Sequence, residues 1–444
     1  MRGFAGSRAR VSRHRWDAAA VAACLLALAL HPAAAQGPAP RKFQFDNGLR
    51  VVFQSNETTQ TIVLCAFVRV TALHEVRQGI GIRPLTQRML GRANGLEADL
   101  QRAAARIDVA TAPDYVEVVI AAPVEAFSDC ARILGQVLYA PQLDAVALET
   151  ERARVLRGIA ARGELPTTVA LDAIYERLCP GLAAAQSGLG DVRAVVGLTL
   201  EQIEGFHATH YLPNCTVISV SGGTTAEECR QVLAGAMADL LPGGRPREPA
   251  PALPAEGPAQ LQLDWPGASG VYAAGGRAVS LTSPAYPAAA VAMALLGSGM
   301  DARLYKALRR DQALAYTIVT DITPSVIAPS ATVLVTCDGD KLAQVARVVE
   351  REIERLMTRP PADQELRRAK RYLLGSHALR HQRNRDIAHY LGVFELLGGA
   401  PGYRLDTLLS GKIAAVSAEA VRDATAMIFE QMVAVRLGGP PVGQ

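Results

Sequence analysis

FQFDNGLRVVFQ, residues 43–54, alternates apolar and polar side chains around Asp46-Asn47-Gly48. Asn-Gly between two alternating runs is a hairpin signal, because both residues tolerate the positive φ of a tight turn. TIVLCAFVRV (61–70) follows as a second strand and, after a helical stretch, YVEVVIAA (115–122) as a third. EAFSDCARILGQVLYAP (125–141) and DAVALETERARVLRGIA (144–160) carry helical spacing, and FHATHYLPNCTVISVSGG (206–223) reads as a helix end, a Pro turn and a strand closed by Gly. The order then recurs. VYAAGGRAVS (271–280), AYTIVTDI (315–322) and SATVLVTC (330–337) are strand-like, and PAYPAAAVAMALLG (284–297) is helical. In 340–359, Leu342, Val345, Val349, Ile353 and Leu356 fall on one helical face. A long helical region runs to about 399, and MVAVRLGG (432–439) closes the chain. Strands followed by runs of helices, twice over, imply α+β.

The organisation read from this pattern is a leader over 1–35, one half over 41–240, a Pro/Gly-rich linker over 241–260 and a second half over 261–440. The leader has five Arg and one acid ahead of or within AAAVAACLLALAL (18–30), then Ala33-x-Ala35 as a small-residue cleavage site. That is the three-part pattern of a secretory signal. The alternative is an uncleaved anchor, but 13 apolar residues fall short of the roughly 20 that a membrane span needs. Export is therefore expected, into a periplasm if the source is Gram-negative. The net charge of the full chain is +4, and the leader carries all of it. A neutral remainder gives no electrostatic reason to expect nucleic acid or stable membrane binding. Cys65, Cys130, Cys179, Cys215, Cys229 and Cys337 lack C-x-x-C spacing; an oxidising compartment permits disulfides, but Cys65, Cys215 and Cys337 sit in apolar strand-like runs and read as buried thiols.

Four segments, in order, carry a resemblance. DNGLRVV (46–52), ETERARVL (149–156), HYLPNCTVISVSG (210–222) and GSGMDARLYKALRRDQALAY (297–316) resemble the pitrilysin/insulinase family of zinc peptidases, which includes the mitochondrial processing peptidases. The resemblance covers nearly all of 41–440. It implies two related halves, each an antiparallel sheet covered by helices, forming a clam-shell chamber around a peptide.

The family's metal site is an inverted H-x-x-E-H on a helix, with a third ligand from the downstream E-R helix. The matching segment here is GIRPLTQRML (81–90). Pro84 and Arg88 stand at the two His positions and Gln87 at the Glu position; only Glu151 matches, as the third ligand. Pro84 offers no lone pair, Gln87 is no general base, and Arg88 is a permanent cation. One carboxylate is too few ligands for zinc. His207 with His210, and His377 with His381, are other pairs that could in principle hold a metal, but neither has a Glu in the family's order. The expectation is that this chain binds no metal and that zinc resides only on a partner.

The resemblance implies a second set of residues. Active members place an Arg and a Tyr, seven residues apart, against the substrate backbone and developing oxyanion; Arg309 and Tyr316 match that spacing. Both offer donors suited to an oxygen acquiring charge. The alternative is that Arg309 pairs with Asp311 and Tyr316 merely opens a strand. Of the family's N-A-x-T substrate strand, DVAT (108–111) keeps only Thr111, and peptide addition at such an edge rests mainly on backbone groups. The functional expectation is a non-zinc subunit of an exported heterodimeric peptidase. Its partners would be a homologous H-x-x-E-H subunit and a peptide or unfolded polypeptide. A non-enzymatic peptide-binding or scaffold protein is the alternative, and a self-sufficient zinc peptidase lacks its ligands.

Overall fold

The computed structural model describes residues 38–75, 79–92, 95–182, 188–244 and 257–438. The leader and most of the linker read from the sequence lie outside them. Two sheets organise the chain. The first contains β1 (Arg41–Gln44), β2 (Arg50–Ser55), β3 (Thr61–Val68), β4 (Arg106–Ala112), β5 (Tyr115–Pro123) and β6 (Thr216–Gly222), in the spatial order β1-β2-β6-β3-β5-β4. The second contains β7 (Ala259–Leu263), β8 (Ser269–Arg277), β9 (Thr317–Thr323), β10 (Ser330–Asp338) and β11 (Val433–Leu437), in the order β7-β11-β8-β10-β9. Both are covered by helices, as the sequence pattern implies.

The sheets are not wholly antiparallel. β2 pairs in parallel with β6, and β7 with β11. A parallel neighbour needs a long crossover, and in each half the intervening helices and strands supply it. The opening hairpin forms as expected, with Arg41 opposite Phe53 and Gln44 opposite Arg50. Asn47 holds its turn: its Oδ1 accepts from the Leu49 amide at 3.1 Å, and its Nδ2 donates to the Met237 carbonyl at 2.7 Å.

The apolar run of β3 has a tertiary cause. Ile62, Leu64, Ala66 and Val68 enter a core closed by the helices Phe127–Tyr139 and Ala226–Met237. Val63, Cys65 and Phe67 enter a separate core with Ala388, Val393 and Phe394 of the helix Asn384–Leu397. A strand buried on both faces loses the alternation of a half-exposed one. The second sheet mirrors this. Tyr272 and Ala274 of β8 join the core of their own half, whereas Val271 and Ala273 pack against Ala170, Ile174 and Leu178 of Pro166–Leu178. Each sheet thus lends one face to a helix from the opposite half.

These crossings are close. A Cβ on Gly392 would come within 2.1 Å of the Phe67 ring, and one on Gly275 within 2.5 Å of Ile174. Polar contacts fix the first crossing: Ser219 Oγ donates to the Ala388 carbonyl at 2.5 Å, and Asn384 Nδ2 donates to Thr59 Oγ1 at 2.9 Å. Cys65, Cys215 and Cys337 are buried as expected, as are Cys130, Cys179 and Cys229, with no disulfide among the described residues.

Candidate functional site

The helix Ile82–Leu90 carries the degenerate positions. Pro84 is its third residue, where the N–H would have no intrahelical acceptor, so the ring costs no backbone bond. The exposed N–H groups of this turn are met by a side chain from outside the helix. Glu75 Oε1 accepts from Gly81 N at 3.0 Å and Arg83 N at 3.1 Å, and Glu75 Oε2 pairs with Arg83 Nε at 3.1 Å. Both side chains are 0% exposed. Arg83 also donates to the Val70 and Ala112 carbonyls, tying the helix to the end of β4. Nothing in the sequence pattern singled out this pair.

Gln87 is 1% exposed and both ends of its amide are engaged. Nε2 donates to the Glu117 carbonyl at 2.6 Å, and Oε1 accepts from Tyr211 Oη at 3.0 Å. No water can be activated at a side chain so enclosed. Tyr211 stacks on His207, with ring centroids 4.7 Å apart, and His207 Nε2 lies 3.0 Å from the Leu138 carbonyl. His210 packs instead against Phe206 and His74. The 207/210 pair therefore turns to different partners and forms no ligand set. Burial lowers both imidazoles to about pKa 4.

Arg88 lines a cavity of about 870 Å³ with Arg92, Glu97, Asp108, Glu151 and Arg154. The buried Glu151 carboxylate pairs with Arg154 and lies 3.9 Å from Arg92 Nε. The carboxylate expected at the third-ligand position thus faces guanidinium groups. Together with the chemistry of Pro84, Gln87 and Arg88, this leaves no zinc-binding set: the residues present do not fit the metal.

Thr111 lies on β4, the edge strand of the first sheet, opposite Val116 of β5. Arg309 and Tyr316 lie in the second half. Arg309 is the penultimate residue of a π-helical turn, Tyr305–Arg310, anchored by buried Leu304 and Leu308. Its guanidinium sits 5.6 Å from the Tyr305 ring centroid, and Arg310, not Arg309, takes Asp311 at 2.7 Å. Tyr316 is 62% exposed, immediately before edge strand β9. Its hydroxyl donates to Asp338 Oδ1 at 2.6 Å, which raises its pKa; Asp338 also accepts from Lys341 at 2.7 Å. Among the described residues, the polar side-chain contacts of both stay within the second half. The structure does not join them to the Gln87 region.

His377 and His381 do converge with a third group. His381 Nε2 lies 2.5 Å from Asp406 Oδ2, and His377 Nδ1 3.8 Å from Asp406 Oδ1. The i,i+4 spacing was visible in the sequence; Asp406 belongs to another helix, Leu405–Ala415, and had no local signal.

The comparisons with known proteins fit this geometry. Residues 197–373 match the family model described as peptidase M16 inactive domain. Over that span, under half of its length, the chain is similar to M16 inactive domains. The matched span includes Arg309 and Tyr316 and excludes the degenerate helix. Among curated relatives, cytochrome b-c1 complex subunit 1, mitochondrial, of Caenorhabditis elegans is 24% identical over 43% of this chain and 41% of its own length. An uncharacterized zinc protease of Streptomyces coelicolor is 24% identical over 70% of this chain and 68% of its own. The chain thus spans under half the length of the first of these relatives. The fold is shared with a peptidase M16 inactive domain from Pseudomonas fluorescens (TM-score 0.82, 19% identity, 92% of this chain and 100% of that one). It is shared also with a protease from Helicobacter pylori (TM-score 0.83, 15% identity, 91% and 100%). Among the described residues, no helix is long and apolar enough to cross a membrane.

Proposed function

We propose that this chain is the non-zinc subunit of an exported heterodimeric M16-type peptidase. The observation that carries the reading is the contrast in availability. Gln87 is sealed by Glu117 and Tyr211 and Glu151 is held by arginines, while Arg309 and Tyr316 remain exposed. The family model matched by residues 197–373 is described as inactive, which suits a chain that works beside a zinc-bearing partner. In this reading the partner supplies the H-x-x-E-H helix and the zinc, inside a periplasm reached through the leader. The substrate is a peptide or unfolded polypeptide, and the edge of β4 at Thr111 offers backbone groups to an extended chain. Arg309 would hold the substrate backbone with its planar fork. Tyr316 would turn its donor from Asp338 to the oxygen that gains charge.

The test is native affinity purification of the chain from its own host. Recovery of a stoichiometric H-x-x-E-H subunit, with chelator-sensitive cleavage that falls in Arg309→Ala and Tyr316→Phe, supports the proposal. A paired subunit whose activity ignores both substitutions overturns it. A second reading, a non-enzymatic peptide-binding or scaffold protein, draws on one observation: the Tyr316 hydroxyl is already engaged by Asp338. It is the reading left if the chain is recovered without a peptidase and still binds peptide.

A further inference from the structure

We propose that His377, His381 and Asp406 form a binding site for a divalent cation of the zinc type, in the second half and apart from the peptidase metal position. The reading does not rest on the heterodimer, and it departs from the expectation that this chain binds no metal.

The argument starts from one hydrogen bond. His381 Nδ1 lies 2.8 Å from the His377 carbonyl, one turn earlier on the chain. A carbonyl only accepts, so Nδ1 carries the proton. That leaves Nε2 as the lone-pair nitrogen, and Nε2 faces Asp406 Oδ2 at 2.5 Å. Two lone pairs at that separation need a positive charge between them. A proton satisfies Nε2 and Oδ2 alone. Asp406 Oδ1 is then left buried without a hydrogen-bond partner, and His377 Nδ1, at 3.8 Å, is beyond hydrogen-bonding reach.

Once the Asp406 carboxylate turns off Nε2, since tetrahedral zinc holds its donors about 3.3 Å apart, a metal ion in place of that proton would meet all three groups. The candidate donor atoms lie within 4.8 Å of one another. Two imidazoles and a carboxylate are a zinc-type donor set, with a fourth position left for water. The His381 Nδ1–carbonyl bond is the outer contact that fixes a ligating ring in orientation and tautomer. Access and rigidity are divided suitably: the Asp406 side chain is 9% exposed, and both histidines are 24% exposed. Arg380 is the nearby opposing charge; its guanidinium lies 5.4 Å from the Tyr390 ring centroid.

The full chain, stripped with chelator, is titrated with Zn²⁺ by calorimetry and with Co²⁺ by visible absorption. One equivalent of Zn²⁺ should bind, and Co²⁺ should give the d–d bands of a low-coordinate site. His377→Ala removes a partly exposed ring and leaves the His381–Asp406 contact intact, so the fold is retained. It should weaken binding at least tenfold, as should Asp406→Asn, while His210→Ala should leave it unchanged. Absence of Zn²⁺ binding overturns the proposal. So does stoichiometric binding that survives in a His377→Ala/His381→Ala double variant.

Discussion

The degenerate helix of the first half and the Arg309–Tyr316 segment of the second differ in what their polar groups are doing. Around Ile82–Leu90, Arg83, Gln87 and Glu151 are buried and bound to other parts of the protein. Around Arg309, the charged groups are exposed, and their partners, Tyr305 and Asp338, are themselves at least partly solvated. The lesson is energetic. A buried polar network is costly to break, because each lost partner leaves a group away from water; an exposed donor changes partner cheaply. The first region therefore works as structure. The second is free to meet something else.

The sharpest way to break this comparison is to open the buried pair. Glu75→Gln leaves Arg83 as an unpaired buried cation and should lower the unfolding free energy by about 3–5 kcal/mol, read from urea unfolding. A loss no larger than that of a surface substitution would mean the pair is not the anchor of this helix. Gln87→Glu is the next test. It sets a carboxylate against the Glu117 carbonyl and should cost about 1–3 kcal/mol without any gain in zinc binding, measured by the same unfolding curves and by metal analysis.

A pH series sharpens the same contrast. His207, stacked on Tyr211, and His210, packed against Phe206 and His74, have folded pKa values near 4 against 6.5 for an ordinary His. Between those values the unfolded chain binds more protons than the folded one. Their contribution is present in full above pH 6.5 and is lost progressively as the pH falls towards 4. The urea midpoint of the wild type should drop across that window, and His207→Gln with His210→Gln should flatten the drop. The smallest effect on stability belongs to the exposed region. Arg309→Ala and Tyr316→Phe should each shift unfolding by less than about 0.5 kcal/mol. In an assembled peptidase, the same changes should cost about 10²-fold in cleavage, the scale of a lost oxyanion donor. A large stability loss in either variant would erase the difference between the two regions.

Much of this was legible along the chain. Asp46-Asn47-Gly48 marks the hairpin because turn geometry is set by a few consecutive residues. Pro84 and Arg88 exclude a zinc helix because lone pairs and charge are properties of single side chains. The repeat of strands and helices gives two related halves, since periodicity is local as well. The sequence by itself therefore determined the repeated order of strands and helices, the absence of zinc donors at Pro84 and Arg88, and the Arg309/Tyr316 spacing. Tertiary structure decided the rest. It gave each sheet a helix from the opposite half, so β3 and β8 are buried on both faces. It closed Glu75 on Arg83 and Tyr211 on Gln87, and it brought Asp406 to His377 and His381. Such contacts join residues with no sequence period between them. Their strength comes from exclusion of water, which exists only once the chain has packed.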